Sequence, residues 1–278
     1  MTKRKKHDQG RVWVREHTNW SEGVAGLCHA AGLARRLRGK RRVVLKPNLV
    51  EAVPPPVTTP VGLVWALVDY LEAAAPHCAV IVAEGCGARG YDTAHCFREL
   101  GYAELAAQKG VTLLDLNGAP LKRLVNPECR RWPEIHLPAL LFDSFLVSLP
   151  VLKAHSLAGV TLTMKNMMGA APPAHYQQGG HWKKAAFHRA MQEAVFDLNR
   201  YRTPDFTLLD ATIGMRVAHL WGPTCEPPPN RLVAAYDPVA VDAYGTALLA
   251  RDWRQVGHIR LAHGVLGCAD PLDVVEVA

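Results

Sequence analysis

Lys153, His155, Lys165 and Asn166 fall inside the apolar stretch Phe145-Leu-Val-Ser-Leu-Pro-Val-Leu-Lys-Ala-His-Ser-Leu-Ala-Gly-Val-Thr-Leu-Thr-Met-Lys-Asn-Met-Met-Gly169. Amines, an imidazole and an amide are costly to bury unless they meet a ligand or one another. The stretch reads as a strand that ends in a lysine and a histidine, followed by a helical turn that delivers a second lysine beside an asparagine. The neighbours of Lys165 are Thr163, Met164, Asn166, Met167 and Met168, so its amine is expected to lose part of its hydration. Desolvation lowers a lysine pKa and suits the amine to act as a nucleophile, a base or an anchor for an anionic ligand. The competing reading is a lysine that snorkels out of an apolar helix to reach water.

Further polar residues stand just beyond other apolar runs: Lys46 and Asn48 after Val43–Leu45, Glu84 after Ala79–Ala83, and Asp210 after Phe206–Leu209. In an open α/β sheet, ligands bind in the crevice beyond the carboxyl ends of the strands. Sharing that position is the reason to group these residues. On this reading Lys46 and Lys153 hold an anion, Asn48 orients it, and Asn166 and Glu84 complete its binding site. His155 is the general acid or base, which works best with a pKa near neutrality. Lys165 anchors substrate or cofactor, while His188 and Asp210 finish the site, His188 also as a catalytic group and the two together as metal ligands. The bland alternatives are a surface lysine at 46 and a turn cap at Asp210.

Gly85, Gly87 and Gly90 have Gly-x-Gly-x-x-Gly spacing after a strand, but they follow a late strand and precede a short polar helix start at Asp92. A turn or substrate loop is expected there rather than a phosphate cradle. His155, His175, His181 and His188 lack the i,i+4 spacing of a helical metal pair, and His175 and His181 read as exposed loop residues. Met164, Met167 and Met168 read as core filler.

The elements that must position these groups alternate between short β-branched runs and longer helical ones. That pattern argues an α/β fold with a mostly parallel sheet and flanking helices. Expected strands are 11–14, 43–45, 79–83, 111–114, 145–149, 206–209 and 232–235, with 121–125 and 135–137 forming an antiparallel excursion. Helices are expected at 21–37, started by Ser21, at 60–75 with Thr59 as cap and Pro60 at the first position, at 184–200, and at 239–250. No long linker is evident, so residues 11–278 form one intertwined unit or two lobes sharing a cleft.

The formal charge of +7 is local: residues 1–42 hold 12 Lys/Arg against 3 Asp/Glu. Residues 1–10, with Lys3–Lys6, read as a disordered basic tail, and the cluster 35–42 reads as a helix end whose cations complement the carbonyl dipole. Seven scattered cysteines offer no Cys-x-x-Cys pair, hence no iron–sulfur motif, and they favour a reducing cytoplasm. No signal peptide and no long apolar run are present, so no membrane partner is expected. Nucleic acid is not the expected partner either, because the basic clusters carry no interleaved aromatics.

Lys46-Pro-Asn48, Thr58-Thr-Pro60, Leu149-Pro-Val-Leu-Lys-Ala-His155, Thr161-Leu-Thr-Met-Lys-Asn-Met-Met-Gly169, His188, Asp210 with Gly214-Met215, and Asp237-Pro-Val-Ala-Val-Asp242 together resemble the family called domain of unknown function 362. The resemblance runs from about residue 40 to 270. Many relatives carry an extra ferredoxin-like segment that has no counterpart here, and residues 216–223 are bulkier than the usual Gly-rich turn. The order of Thr-Pro helix start, Gly-rich strand end, His155, Gly159, Lys165 and a later His is also similar to the nickel-pincer lactate racemase group. That likeness implies a lysine that anchors an organic cofactor and histidines that trade protons with a 2-hydroxy acid. It departs at Lys165, which is followed by Asn-Met-Met-Gly rather than Pro-Gly.

The combined expectation is an enzyme of oxidoreductase or isomerase type that moves a proton or hydride on a small anionic, carboxylate-like substrate. A metal ion or a Lys165-anchored organic cofactor, and for hydride chemistry a redox partner, would assist. Two other classes stay open: a non-catalytic module that binds an anionic metabolite or cofactor, and an RNA-associated protein that uses cluster 35–42.

Overall fold

The computed structural model describes residues 8–178 and 180–278, so the basic run Lys3–Lys6 lies outside the described residues. The last positions of the expected tail are instead held by the fold. Arg36 donates to both carboxylate oxygens of Asp8 at 2.7 Å, and the Gly10 N–H donates to Asp237 at 3.1 Å.

The strands are β1 (Arg11–Glu16), β2 (Arg42–Pro47), β3 (Ala79–Glu84), β4 (Thr112–Asp115), β5 (Leu121–Val125), β6 (Glu134–Pro138), β7 (Phe145–Leu149), β8 (Val151–His155), β9 (Gly159–Thr161), β10 (Phe206–Met215), β11 (Arg231–Ala235) and β12 (Asp273–Glu276). The helices are α1 (Trp20–Ala30), α2 (Leu33–Leu37), α3 (Val61–Ala74), α4 (Thr93–Glu99), α5 (Tyr102–Lys109), α6 (Thr163–Asn166), α7 (Pro173–Tyr176), α8 (Met191–Tyr201), α9 (Pro238–Leu248) and α10 (Gly257–Ala262). Among the described residues ten strands make one sheet in the order β12-β1-β11-β10-β7-β2-β3-β4, with β8 added to β10 and β9 to β8. The pairs β2–β3, β2–β7, β3–β4 and β7–β10 are parallel, whereas β11 runs antiparallel to both β10 and β1. Strands β5 and β6 form the expected separate antiparallel pair. One continuous sheet makes a single α/β domain rather than two lobes.

Alternate residues along each strand feed opposite faces. Val43, Leu45 and Val147 pack with α1, α2, α3 and α5, while Val44, Leu146 and Leu209 pack with α6, α8, α9 and α10. Strands buried on both faces are near-continuous in apolar residues, as the sheet of an α/β protein requires. No helix among the described residues is long and apolar enough to cross a membrane.

Three expectations about the elements are corrected. The helix foreseen over 21–37 begins at Trp20 under an Asn19 cap and breaks at Gly32, whose φ of 65° no continuous helix permits. Thr59 does not cap α3. Its hydroxyl donates to the Leu149 carbonyl at 2.6 Å and accepts from the Asn48 N–H at 2.8 Å, tying the end of β2 to β7. The helix foreseen over 184–200 is a short 3₁₀ turn (Ala185–His188), then Ala190 with φ 53°, then α8.

The topology makes the crevice. From β2 the chain runs outward through α3 to β3 and β4, then returns to lay β7 on the other side of β2. Its connection onward to β10 covers the opposite face. Connections that diverge from neighbouring strands leave a gap beyond their carboxyl ends, at this switch point between β2 and β7. Pro150 widens it: without an N–H to extend the ladder, it separates β7 from β8, and β10 pairs first with one and then with the other.

Candidate active site

A cavity of about 280 Å³ fills the gap. Asn48, Glu84, Lys153, His155, Lys165, Asn166 and His188 all line it, so residues scattered over 140 positions of sequence converge. Gly85 and Gly87 line it too, as the loop after β3. Asp210 is not on the wall. Its Oδ1 accepts from the N–H and hydroxyl of Thr212, at 2.9 and 2.7 Å, which is the turn-capping alternative. His175 and His181 are exposed and also off the wall, His175 stacking on His136 at 4.0 Å between ring centroids.

The cavity floor is a buried polar network. Lys46 is fully buried beneath it, and its ammonium pairs with Glu84 and donates to Asn166 Oδ1 at 3.1 Å. Asn48 donates to the same oxygen at 3.0 Å, while Asn166 Nδ2 donates to the Lys46 carbonyl and to Ser148 Oγ. Lys153 donates to Asn48 Oδ1 at 2.7 Å and to the Val57 carbonyl at 2.6 Å. Lys46 is therefore committed inside the protein and does not present its amine to a ligand, contrary to the expected anion-holding role. Burial pushes Glu84 up to about 7, against the pull of Lys46. Gly169 closes over this pair: a Cβ there would lie 2.6 Å from Lys46 Nζ and closer still to Glu84 Oε1.

Lys165 is delivered by α6, a single turn held from three directions. Asp242 of α9 accepts the Thr163 and Met164 N–H groups at 2.7 and 3.0 Å, capping the turn. Asn199 of α8 donates to the Met164 carbonyl at 2.9 Å, and Thr163 shares a 2.8 Å hydroxyl contact with Thr207 of β10. Asp242 and Asn199 were not foreseen as positioning residues. The sequence signal existed for Asp242 in the Asp-Pro-Val-Ala-Val-Asp run, but nothing local shows that its carboxylate caps a turn 79 residues away.

Two further wall residues escaped the sequence reading. Lys184, on the strap that follows α7, donates to Asn117 Oδ1 and to the Ala171 carbonyl, and burial brings its pKa down to about 7. His219 stacks face to face on His155 with centroids 4.0 Å apart, and its Nδ1 is buried without a partner. The bulk of residues 216–223 was its one sequence trace.

The imidazoles differ in what they can do. His155 Nδ1 accepts from the N–H groups of Leu157 and Ala158 at 3.1 and 3.2 Å, so the neutral ring carries its proton on Nε2. Burial, then Lys165, depress its pKa far below the usual histidine range. The expected near-neutral pKa is thus corrected: neutral His155 is a fixed hydrogen-bond donor, with no free lone pair to act as base. Burial lowers His219 to about 3 and lowers His188 as well, with Lys165 the next cause in each case. His188 stands exposed at the mouth.

Among the described residues no three His, Cys, Asp or Glu side chains gather to hold a metal. Stacked rings point their nitrogens in parallel planes, so His155 and His219 do not converge on one ion, and Asp210 is off the wall. The residues present do not fit the expected metal site. Lys165 remains the group to which an organic cofactor or substrate could attach.

The sequence matches a family model, Domain of unknown function (DUF362), over residues 43–247. Among solved structures, the lactate racemase apoprotein from Thermoanaerobacterium thermosaccharolyticum is similar with a TM-score of 0.51 at 12% identity. The likeness covers 82% of this chain and 55% of that one, so this chain spans little more than half of that protein's length. At this identity it is a likeness of fold. No curated protein matches the sequence.

Proposed function

The chain belongs to the DUF362 family, and we propose that the cavity is the active site of an isomerase-type enzyme that binds a small carboxylate and moves a proton at the adjacent carbon. The observation that carries the reading is the charge of the wall. Among the described residues Lys153, Lys165 and Lys184 line it with Glu84 as the one carboxylate, itself paired with Lys46. A concave site with more amines than carboxylates favours an anion, and its polar groups fix the anion's orientation.

Of these amines Lys165 is the one that meets the ligand. Among the described residues it makes no hydrogen bond or ion pair, whereas Lys153 and Lys184 are each held by two acceptors. His155 Nε2–H donates to a substrate oxygen. His188, whose ring is unencumbered at the mouth, accepts the proton from carbon, and His219 is its counterpart on the stacked side. General acid–base catalysis of this kind contributes typically about 10²–10⁴-fold. The fold shared with a lactate racemase supports the class, and the cavity chemistry supports the substrate type. Hydride transfer, the other half of the sequence expectation, would use the same anion site but finds no comparable support in the wall.

The test is solvent exchange. A panel of 2-hydroxy acids is incubated with the protein in D2O, and deuterium at the carbon next to the carboxylate is followed by NMR. Enzyme-dependent incorporation that is lost in His188→Gln is expected. Binding of the acids without incorporation for any of them would favour the non-catalytic binding module.

A further inference from the structure

Three buried amines around the cavity have acceptors, whereas Lys165, half-buried on the wall, has none among the described residues. Lys46 has Glu84 and Asn166, Lys153 has Asn48 and Val57, and Lys184 has Asn117 and Ala171. An ammonium without a protein acceptor, beside other amines, gives up its proton more readily than one that is paired. As a free base it carries an unshared lone pair and needs no partner. Resting on the reading above that this cavity binds carboxylates, we propose that Lys165 is a covalent site for 2-oxo acids, forming an imine with the ligand's carbonyl carbon.

The atoms balance with one proton taken from solvent. The Lys165 nitrogen lone pair attacks the carbonyl carbon, and the carbonyl π pair moves to oxygen, which takes up the proton released from nitrogen. The carbinolamine hydroxyl then takes a proton from solvent and leaves as water, pushed out by the nitrogen lone pair, which leaves a protonated imine. His155 Nε2–H is the donor fixed to assist at that oxygen, since its Nδ1 is already engaged by two backbone amides. The iminium draws electrons from carbon 3, on the side away from the carboxylate, and acidifies its C–H, a bond distinct from the one His188 opens in a 2-hydroxy acid. The cap from Asp242 holds the amine in place while it reacts.

Burial supports the assignment by lowering Lys165 to about 8. At pH 7 that leaves roughly 300-fold more free base than on an ordinary lysine of pKa 10.5. A distinct chemistry at this one amine is therefore readable over the background of exposed lysines such as Lys40.

The experiment treats the full chain at pH 7 with pyruvate and sodium cyanoborohydride, followed by intact mass and peptide mapping. Binding of pyruvate and of lactate, which lacks the carbonyl, is measured in parallel by calorimetry. A single reduced adduct is expected at Lys165, forming at least ten times faster than at Lys40, competed by lactate and absent in Lys165→Arg, with circular dichroism confirming the variant's fold. If that variant fails to fold, mapping in the wild-type protein still decides the outcome. Adducts spread evenly over surface lysines, or placed first on Lys153 or Lys184, overturn the proposal. Binding of both acids with no adduct overturns the imine while leaving the carboxylate site standing, and binding of neither overturns both.

Discussion

Replacing Gly169 with alanine should destabilise the protein even though backbone entropy argues the reverse. Gly169 sits in the 3₁₀ turn Met167–Ala170 and is not among the left-handed glycines, so an alanine there has no backbone strain. Restricting the unfolded chain should favour alanine by about 0.5–1 kcal/mol. The added Cβ, however, would stand 2.6 Å from Lys46 Nζ and nearer to Glu84 Oε1. Neither atom can withdraw: Lys46 is 0% and Glu84 2% exposed, and each is bonded to the other. Overpacking of a tight site typically costs about 1–3 kcal/mol, and prising a buried ion pair apart approaches about 3–5 kcal/mol. Net of the entropy gain, the expected loss is about 2–4 kcal/mol. Urea unfolding of Gly169→Ala beside Gly90→Ala measures it, because a Cβ at Gly90 meets nothing within 4 Å. Gly90→Ala should stay within about 0.5 kcal/mol of the parent. A Gly169→Ala protein as stable as its Gly90→Ala control would refute the packing of this residue over the Lys46–Glu84 pair, and with it the description of the cavity floor.

Other outcomes follow from the same geometry. Binding of a simple carboxylate such as lactate should weaken as pH rises through about 8, since Lys165 is an ammonium below that value and neutral above it. A calorimetric pH series that stays flat to pH 10 would show that the amine is not the contact. Asp242→Ala should cost about 2–4 kcal/mol, from two backbone N–H groups left without their acceptor, and should weaken ligand binding more than Asp242→Asn does. Urea unfolding and calorimetry of the two variants read both effects. His155→Ala should abolish deuterium exchange while the protein still unfolds cooperatively, and exchange at the parent rate would remove His155 from the mechanism. Under native conditions a thiol reagent such as DTNB should modify Cys268 well before the other six cysteines, which are all buried. Rapid reaction of several thiols in the folded protein would contradict the core described here.

Local chemistry made much of this molecule legible. Apolar runs of strand length located the sheet, and lysine, asparagine, glutamate and histidine just past their ends marked the rim of the cavity. Lys165 stood out because partial desolvation among methionines is visible in its immediate neighbours. Capping was less legible. Thr59 looked like a helix cap and instead bridges Asn48 to Leu149, a choice made by a partner 90 residues distant. His188 looked helical, yet its segment is a 3₁₀ turn followed by Ala190 at φ 53°.

By itself the sequence determined which groups are apolar, which carry charge, and at what period they alternate, since these depend only on neighbours a few residues apart. Which amine is spent and which is free was decided by tertiary structure. Lys46, Lys153, Lys165 and Lys184 are the same side chain in a string of letters. They differ because the fold brings Glu84, Asn48 and Asn117 to three of them and, among the described residues, no acceptor to the fourth. Desolvation and hydrogen bonding act over a few ångströms of space, and chain separation does not predict which residues will be that close.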